Sequence, residues 1–368
     1  MSHLTDLYAK GQSPWIDNLR RDWLDDGTLG ALVVDGVRGV TSNPSIFAKA
    51  FAASSAYDQG AAQLDTTDAE AVYEALTVED VRDACDVLAA VHASAVADRR
   101  AKARRYDDGF VSLEVSPRLA RDTAATIDAA HRLSAAVDRP NLMIKIPATA
   151  EGLPAITATL ADGINVNVTL IFSLERYAEV IDAWAEGLER AAAAGHDLGS
   201  LASVASFFVS RVDSAVDALL PEGDPRRGTT AVAQAAAAYR LYRASMAGER
   251  AAALLARGAQ VQRPLWASTS VKNPAYDALL YVDALVGDET VNTMPDATLA
   301  EAAARGGEGP SALATPAATD ERAAALDRLD GIDLDAVTAK LEADGVTAFI
   351  ASYDESLALV ASKLDRSA

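Results

Sequence analysis

The stretch NLMIKIPAT, Asn141 to Thr149, reads as a buried β-strand with a lysine in its middle. Successive side chains of a strand face opposite ways. Leu142, Ile144 and Ile146 therefore share one face, and Asn141, Met143 and Lys145 share the other. In a parallel barrel one face of each strand packs on the surrounding helices and the other points inside. This places Lys145 in a barrel interior, near the carboxyl end of its strand and just before Pro147.

Working outward from this run, short β-like segments recur, most of them followed by alanine-rich helical stretches such as 119–138 and 173–195. The strand candidates are 14–19 (PWIDNL), 37–43 (VRGVTSN), 110–116 (FVSLEVS), 141–147 (NLMIKIP), 164–171 (INVNVTLI), 203–209 (SVASFFV), 264–269 (PLWAST) and 290–294 (TVNTM). Alternating strands and helices imply parallel strands with crossover helices. Eight of them imply closure into a (β/α)8 TIM barrel, a fold that takes about 250 residues and extends beyond 400 with insertions. The alternative, an open doubly wound sheet, would normally announce a glycine-rich phosphate loop after its first strand. Neither a dinucleotide fingerprint nor a P-loop is present.

Residues 45–109 form an enlarged, helical connection after the second strand, in which Thr67 with Glu70 and Thr77 with Asp80 read as helix N-cap signals. Residues 305–320 read as a flexible loop, and about 320–366 as helices closing the domain. No linker isolates a second core, so the expectation is one domain over 1–368.

Half of the 368 residues are hydrophobic, yet no apolar run approaches the roughly 20 residues of a membrane span. The start, MSHLTDLYAKGQ, lacks a charged segment followed by an apolar one, which argues against a signal peptide. The single cysteine, Cys85, lies in a helical pattern and reads as core packing, in keeping with a reducing cytoplasm. Four scattered histidines give no metal spacing, so no metal is expected. The net charge of −20 argues against a nucleic-acid partner. Against such a background, cations beside a pocket for an anionic substrate must be placed deliberately.

The polar face of the lysine strand has counterparts. Asn165, Asn167 and Thr169 share a face of INVNVTLI; Ser112, Glu114 and Ser116 share one of VSLEVS; Thr41 pairs with Asn43, and Ser206 with Phe208. Asp17 sits among apolar residues in PWIDNL. One such strand could be a satisfied structural network or a solvated edge. Several together, each unpartnered group costing about 1–3 kcal/mol when buried, point to binding. An amine attacks a carbonyl only when unprotonated, and a free lysine, with a pKa of about 10.4, is almost wholly charged at neutral pH. Desolvation lowers that value. The resulting imine is an electron sink, which lets a neighbouring carbon–carbon bond break without a metal. Glu114 and Asp17 are the carboxylates available to move protons. The amides of Asn43 and Asn167 could hold hydroxyls, and Thr169 could position a water. Arg211 and Lys272 follow late strands, where barrels often hold phosphate.

In this order, GVTSNPSIF, SLEVSP, NLMIKIPAT, INVNVTLIFS, ASFFVSR and WASTSVKNP make the chain resemble the transaldolases, of the longer bacterial type, from about residue 14 to about 300. The resemblance implies a barrel enzyme of the non-oxidative pentose phosphate pathway. It would move a dihydroxyacetone unit from sedoheptulose 7-phosphate to glyceraldehyde 3-phosphate, giving erythrose 4-phosphate and fructose 6-phosphate. It would need no cofactor and would act as a monomer or homodimer. Lys145 matches the Schiff-base lysine, Asp17 the acid–base aspartate, and Glu114 the glutamate acting through a water that Thr169 orients. Asn43 and Asn167 match substrate-holding amides, Ser206 and Arg211 phosphate ligands, and Phe208 an aromatic of the pocket wall. Lys272 stands where many relatives carry arginine, and Phe207 where others carry proline. Two other readings remain at this stage. One is an aldolase of the same superfamily that releases free dihydroxyacetone, separable by product partition with and without glyceraldehyde 3-phosphate. The other is a barrel that binds sugar phosphates as a sensor, separable by turnover.

Overall fold

The computed structural model describes the backbone of residues 2–367 and the side chains of residues 2–364. Among these residues all eight expected runs form strands: β1 (Gln12–Ile16), β2 (Val40–Thr41), β3 (Val111–Glu114), β4 (Leu142–Pro147), β5 (Val166–Ile171), β6 (Ser203–Phe208), β7 (Gln262–Ala267) and β8 (Thr290–Met294). They close into a barrel in chain order, each parallel to its neighbours, with β8 pairing back on β1. The fold is a (β/α)8 TIM barrel.

Local chemistry sets the crossover helices. The helix Leu174–Ala194 is capped by the Ser173 hydroxyl, which accepts from the Arg176 N–H at 3.1 Å, and it stops at Gly195, in the left-handed region at φ +90°. Asp122 caps Thr123–Val137 in the same way. The apolar faces of these helices pack on the outward side chains of the strands, so that Ile144, Ile146, Val166 and Val168 are fully buried.

Several boundaries differ from expectation. β1 and β7 begin two residues earlier than the apolar pattern suggests, because their leading polar residues are buried and bonded rather than looped out. Gln12 donates to Leu285 O at 2.7 Å, and Gln262 donates to Ser203 Oγ at 3.0 Å. Asp17 consequently lies one residue beyond β1, tied to β8 by its N–H donating to Met294 O at 2.9 Å. In the long connection, Thr77 is no cap. It lies inside the helix Ala69–Arg100, its hydroxyl donating back to Tyr73 O at 3.0 Å and Glu74 O at 3.1 Å. That helix starts one residue later than the threonine signal suggests, at the Asp68 cap. The stretch 305–320 is not wholly loop either: Thr315 caps a helix from Pro316 to Ala323, with proline in the first turn, where no N–H is needed. The C-terminal helix, Leu334–Ser367, packs on Pro44–Ala53 and Ala69–Arg100 and ties to the former through Ser352 and Ser45, whose hydroxyls lie 2.7 Å apart.

The amino-terminal floor of the barrel is plugged by charge. Arg263, at the start of β7, lies 3.3 Å from Asp108, donates to Thr290 O at 2.8 Å, and stacks over Tyr106 at 3.9 Å. Asp108 also accepts from Trp15 Nε1 at 2.9 Å and from the Ser13 hydroxyl. The Arg263 and Asp108 side chains are 2% and 0% exposed, so removing either partner strands a buried charge. Arg263→Ala should destabilise the fold by about 3–5 kcal/mol in denaturant titration. A loss below about 0.5 kcal/mol would mean that the floor tolerates a free carboxylate.

Candidate active site

The strand register assembles the site. Glu114 on β3 pairs with Lys145 on β4, and Lys145 with Asn167 on β5, so three polar side chains stand at one level inside the barrel. One step higher, Pro147 pairs with Thr169. The Lys145 amine donates to Glu114 Oε2 at 2.9 Å and to Ser42 O at 3.0 Å. The two side chains are 5% and 3% exposed. The Phe349 ring, from the C-terminal helix, lies 5.6 Å from the amine and closes the site from above.

Same-face polar residues divide by height. Toward the amino-terminal end, Asn141 donates to Cys85 O and Gly109 O, both at 2.9 Å, and Asn165 donates to Leu142 O at 2.9 Å; these are backbone staples. Higher up, a cavity of about 250 Å³ opens at the carboxyl ends of the strands. Of the ten residues singled out in the sequence, eight line it: Asp17, Asn43, Lys145, Thr169, Ser206, Phe208, Arg211 and Lys272. Glu114 reaches it through Lys145. Asn167 lies beneath, its amide held between Ser112 Oγ at 2.9 Å and the Ser206 hydroxyl, which donates to it at 2.7 Å. Ser206 therefore offers the cavity an acceptor, and Asn167 sets its orientation.

Asn43 caps the helix Pro44–Ala53, its side-chain oxygen accepting from Ile46 N–H at 3.1 Å, which leaves its NH₂ for the cavity. Asp17 accepts from the Thr41 hydroxyl at 2.6 Å. Burial pushes the Asp17 carboxyl above its ordinary range, opposed by the Lys145 charge, the Thr41 hydrogen bond and Lys49. Glu114 is also raised by burial, again against the pull of Lys145. Glu114 Oε1 and Thr169 Oγ1 are both buried with no hydrogen-bond partner among the described residues, and this is the environment in which a bridging water is expected. On the opposite wall, Arg211 lies over the Phe208 ring at 5.3 Å, and burial lowers its guanidinium pKa. Two non-glycine residues beside the mouth hold the left-handed conformation, Leu170 at φ +60° and Ser268 at φ +55°. Leu170 coincides with a register shift at the end of β5. Such strain persists where the surroundings over-determine it and clusters at functional sites.

Sequence reasoning missed Lys49, Ser268, Ser270, Thr293 and Phe349, all of which line the cavity. Lys49 lies six residues beyond the Asn43 cap, a spacing that does not place it on the face of the cap, so it carried no local signal. Phe349 carried none, because a residue on a distant helix reaches the mouth only through tertiary packing.

A closed parallel barrel with a buried lysine–carboxylate pair at the carboxyl ends of its strands defines a (β/α)8-barrel enzyme site. Residues 14–360 match the family model described as Transaldolase/Fructose-6-phosphate aldolase. The chain is 47% identical to a transaldolase of Saccharopolyspora erythraea, covering 99% of this chain and 98% of the relative. It is 48% identical to a Mycobacterium leprae transaldolase (99% and 97% covered) and 50% identical to one from Acidothermus cellulolyticus (99% and 97% covered). The chain belongs to the transaldolase/fructose-6-phosphate aldolase family, and relatives similar to it along its whole length carry the transaldolase name.

The raised Asp17 carboxyl yields a signed expectation. The fold disfavours its ionised form, so stability attached to the proton is present at low pH and is lost as pH rises from the unfolded carboxylate value through the folded one. Asp17→Asn should therefore raise Tm at pH 7 by about 1–3 °C. The gain should vanish near pH 3, where the wild-type side chain is protonated. Calorimetric scans at the two pH values check this, and a lower Tm for the variant at pH 7 would contradict it.

Proposed function

We propose that Lys145 is the Schiff-base nucleophile of a transaldolase reaction, transferring dihydroxyacetone from sedoheptulose 7-phosphate to glyceraldehyde 3-phosphate. The observation that carries this reading is the Lys145–Glu114 contact of 2.9 Å at the wall of the 250 Å³ cavity that Asp17 also lines. Before attack the amine passes its proton to Glu114, a carboxyl already raised by burial. The free amine adds to the ketose C2 carbonyl. Glu114, through a water held at Thr169 Oγ1, returns the proton to the leaving hydroxyl, and water departs to leave the iminium.

Asp17 then removes the C4 hydroxyl proton. The C3–C4 bond breaks, its electrons pass into the iminium to give an enamine, and erythrose 4-phosphate leaves. The enamine carbon attacks the aldehyde of glyceraldehyde 3-phosphate, and Asp17 gives its proton back to the new C4 oxygen. Hydrolysis of the imine frees fructose 6-phosphate and restores Lys145. Asn43 and Ser206 hold substrate hydroxyls, Asn167 orients Ser206, Phe208 walls the pocket, and Arg211 with Lys272 takes the phosphate. On this reading the chain acts in the non-oxidative pentose phosphate pathway, in the cytoplasm, as one domain with a helical insertion.

Transfer is favoured over release of free dihydroxyacetone by the roof. Phe349 and the C-terminal helix limit water over the amine, and water is the competitor of the aldehyde for the enamine. Sedoheptulose 7-phosphate supplied alone should turn over at well under a tenth of the rate seen with glyceraldehyde 3-phosphate added, about 10-fold or more apart. Equal rates would make the protein an aldolase.

Lys145→Met should lower kcat by about 10⁴-fold or more. Arg211→Ala should raise KM for phosphorylated donors by about 10- to 100-fold, and that for free fructose much less. Equal effects on the two donors would remove Arg211 from phosphate binding.

A further inference from the structure

The chain has 53 acidic and 33 basic residues besides histidine, and buried or half-buried cations elsewhere in the fold meet carboxylates: Arg263 with Asp108, Arg99 with Asp107, Arg21 with Asp80. Above the Lys145–Glu114 pair, the cavity breaks this pattern. Arg211 and Lys49 make no hydrogen bond or ion pair with any carboxylate among the described residues, and the Lys272 amine donates only to the Ser270 hydroxyl, at 2.6 Å. All three line the one cavity.

Lys49 stands at the rim, exposed, on the helix Pro44–Ala53. It is also part of the wall of an adjoining cavity of about 350 Å³ bounded by Arg20, Asp296 and Ala297. Its four-carbon stem therefore has room to carry a point charge inward. The like charges sense one another: burial first, then Arg211 and Lys49, pull the Lys272 amine below its ordinary range. Lys49 has a partial counter-charge in Asp17 on the same wall, but Arg211 and Lys272 have none there, so the three cations of this cavity repel and a bound dianion relieves that repulsion.

Building on the sugar-phosphate reading above, we propose that Lys49 is the third cation of the phosphate subsite, with Arg211 and Lys272, and that it selects phosphorylated over free sugars. The geometry divides the labour. Arg211, seated on Phe208, is fixed by packing, whereas Lys49 is the mobile member that closes on the phosphate from the β1–β2 side, where Asp17 also lies. Lys272 offers a point charge rather than a guanidinium fork, and Lys49 adds a second point charge beside the one fork of Arg211.

The test compares wild type, Lys49→Met and Lys49→Arg, with D-glyceraldehyde as an unphosphorylated acceptor throughout. In Lys49→Met the ratio of kcat/KM for fructose 6-phosphate to that for free fructose should fall about tenfold or more, carried by KM. Lys49→Arg should recover the ratio to within about threefold of wild type. Calorimetric titration with inorganic phosphate gives a readout free of the lysine chemistry, and Lys49→Met should bind it at least about fivefold more weakly. An unchanged ratio together with unchanged phosphate affinity would overturn the assignment and leave Lys49 a solvated rim lysine. A protein that turns over neither sugar yet loses phosphate affinity on Lys49→Met would keep the cation site and discard the transaldolase chemistry.

Discussion

The contact on which the rest depends is the one between the Lys145 amine and the Glu114 carboxylate, 2.9 Å apart and almost wholly removed from water. Burying two such charges costs several kcal/mol each before their attraction is counted. A fold retains such a pair when strand register over-determines it. Here the register does so directly: β3 sets Glu114 opposite Lys145, and β4 sets Lys145 opposite Asn167. A slip of one residue in β4 would turn Lys145 toward the helices and bring Ile144 or Ile146 inside. The fully buried outward face of β4 holds that register, so apolar packing outside the barrel fixes the chemistry within it.

The barrel has two polar layers with opposite characters. At the floor, Arg263, Asp108, Ser13 and Trp15 form a network in which the charges meet each other. At the mouth, carboxylates are raised by burial, Arg211, Lys272 and Lys49 form no ion pair among the described residues, and two oxygens have no hydrogen-bond partner among them. The first arrangement leaves each buried charge compensated. The second costs stability and is what a ligand-binding, proton-moving site requires. Side chains just below the mouth join the two layers by orienting what lies above, as Asn167 does for Ser206.

How much of this was legible in the sequence follows from the range of the forces involved. Strand alternation is local, so the inward face of NLMIKIPAT and the carboxyl-end position of Lys145 could be read from a few residues. The ends of β1 and β7 could not, because Gln12 and Gln262 look like loop residues until their distant partners Leu285 and Ser203 are known. Thr77 failed as a cap signal because a threonine inside a helix bonds back to its own preceding turn. The division of same-face asparagines into staples (Asn141, Asn165) and a site member (Asn167) depends on height in the barrel, which only the register reveals. Phe349 lies more than two hundred residues from Lys145 along the chain and meets it through the packing of the last helix. The long connection concealed Lys49 among ordinary helix residues.

Borohydride reduction in the presence of fructose 6-phosphate, followed by peptide mapping, tests most directly whether this amine is the covalent partner of the ketose. The account predicts a reduced three-carbon adduct on the peptide containing Lys145, abolished in the Lys145→Met protein. An adduct on another lysine, or none while turnover continues, would contradict it.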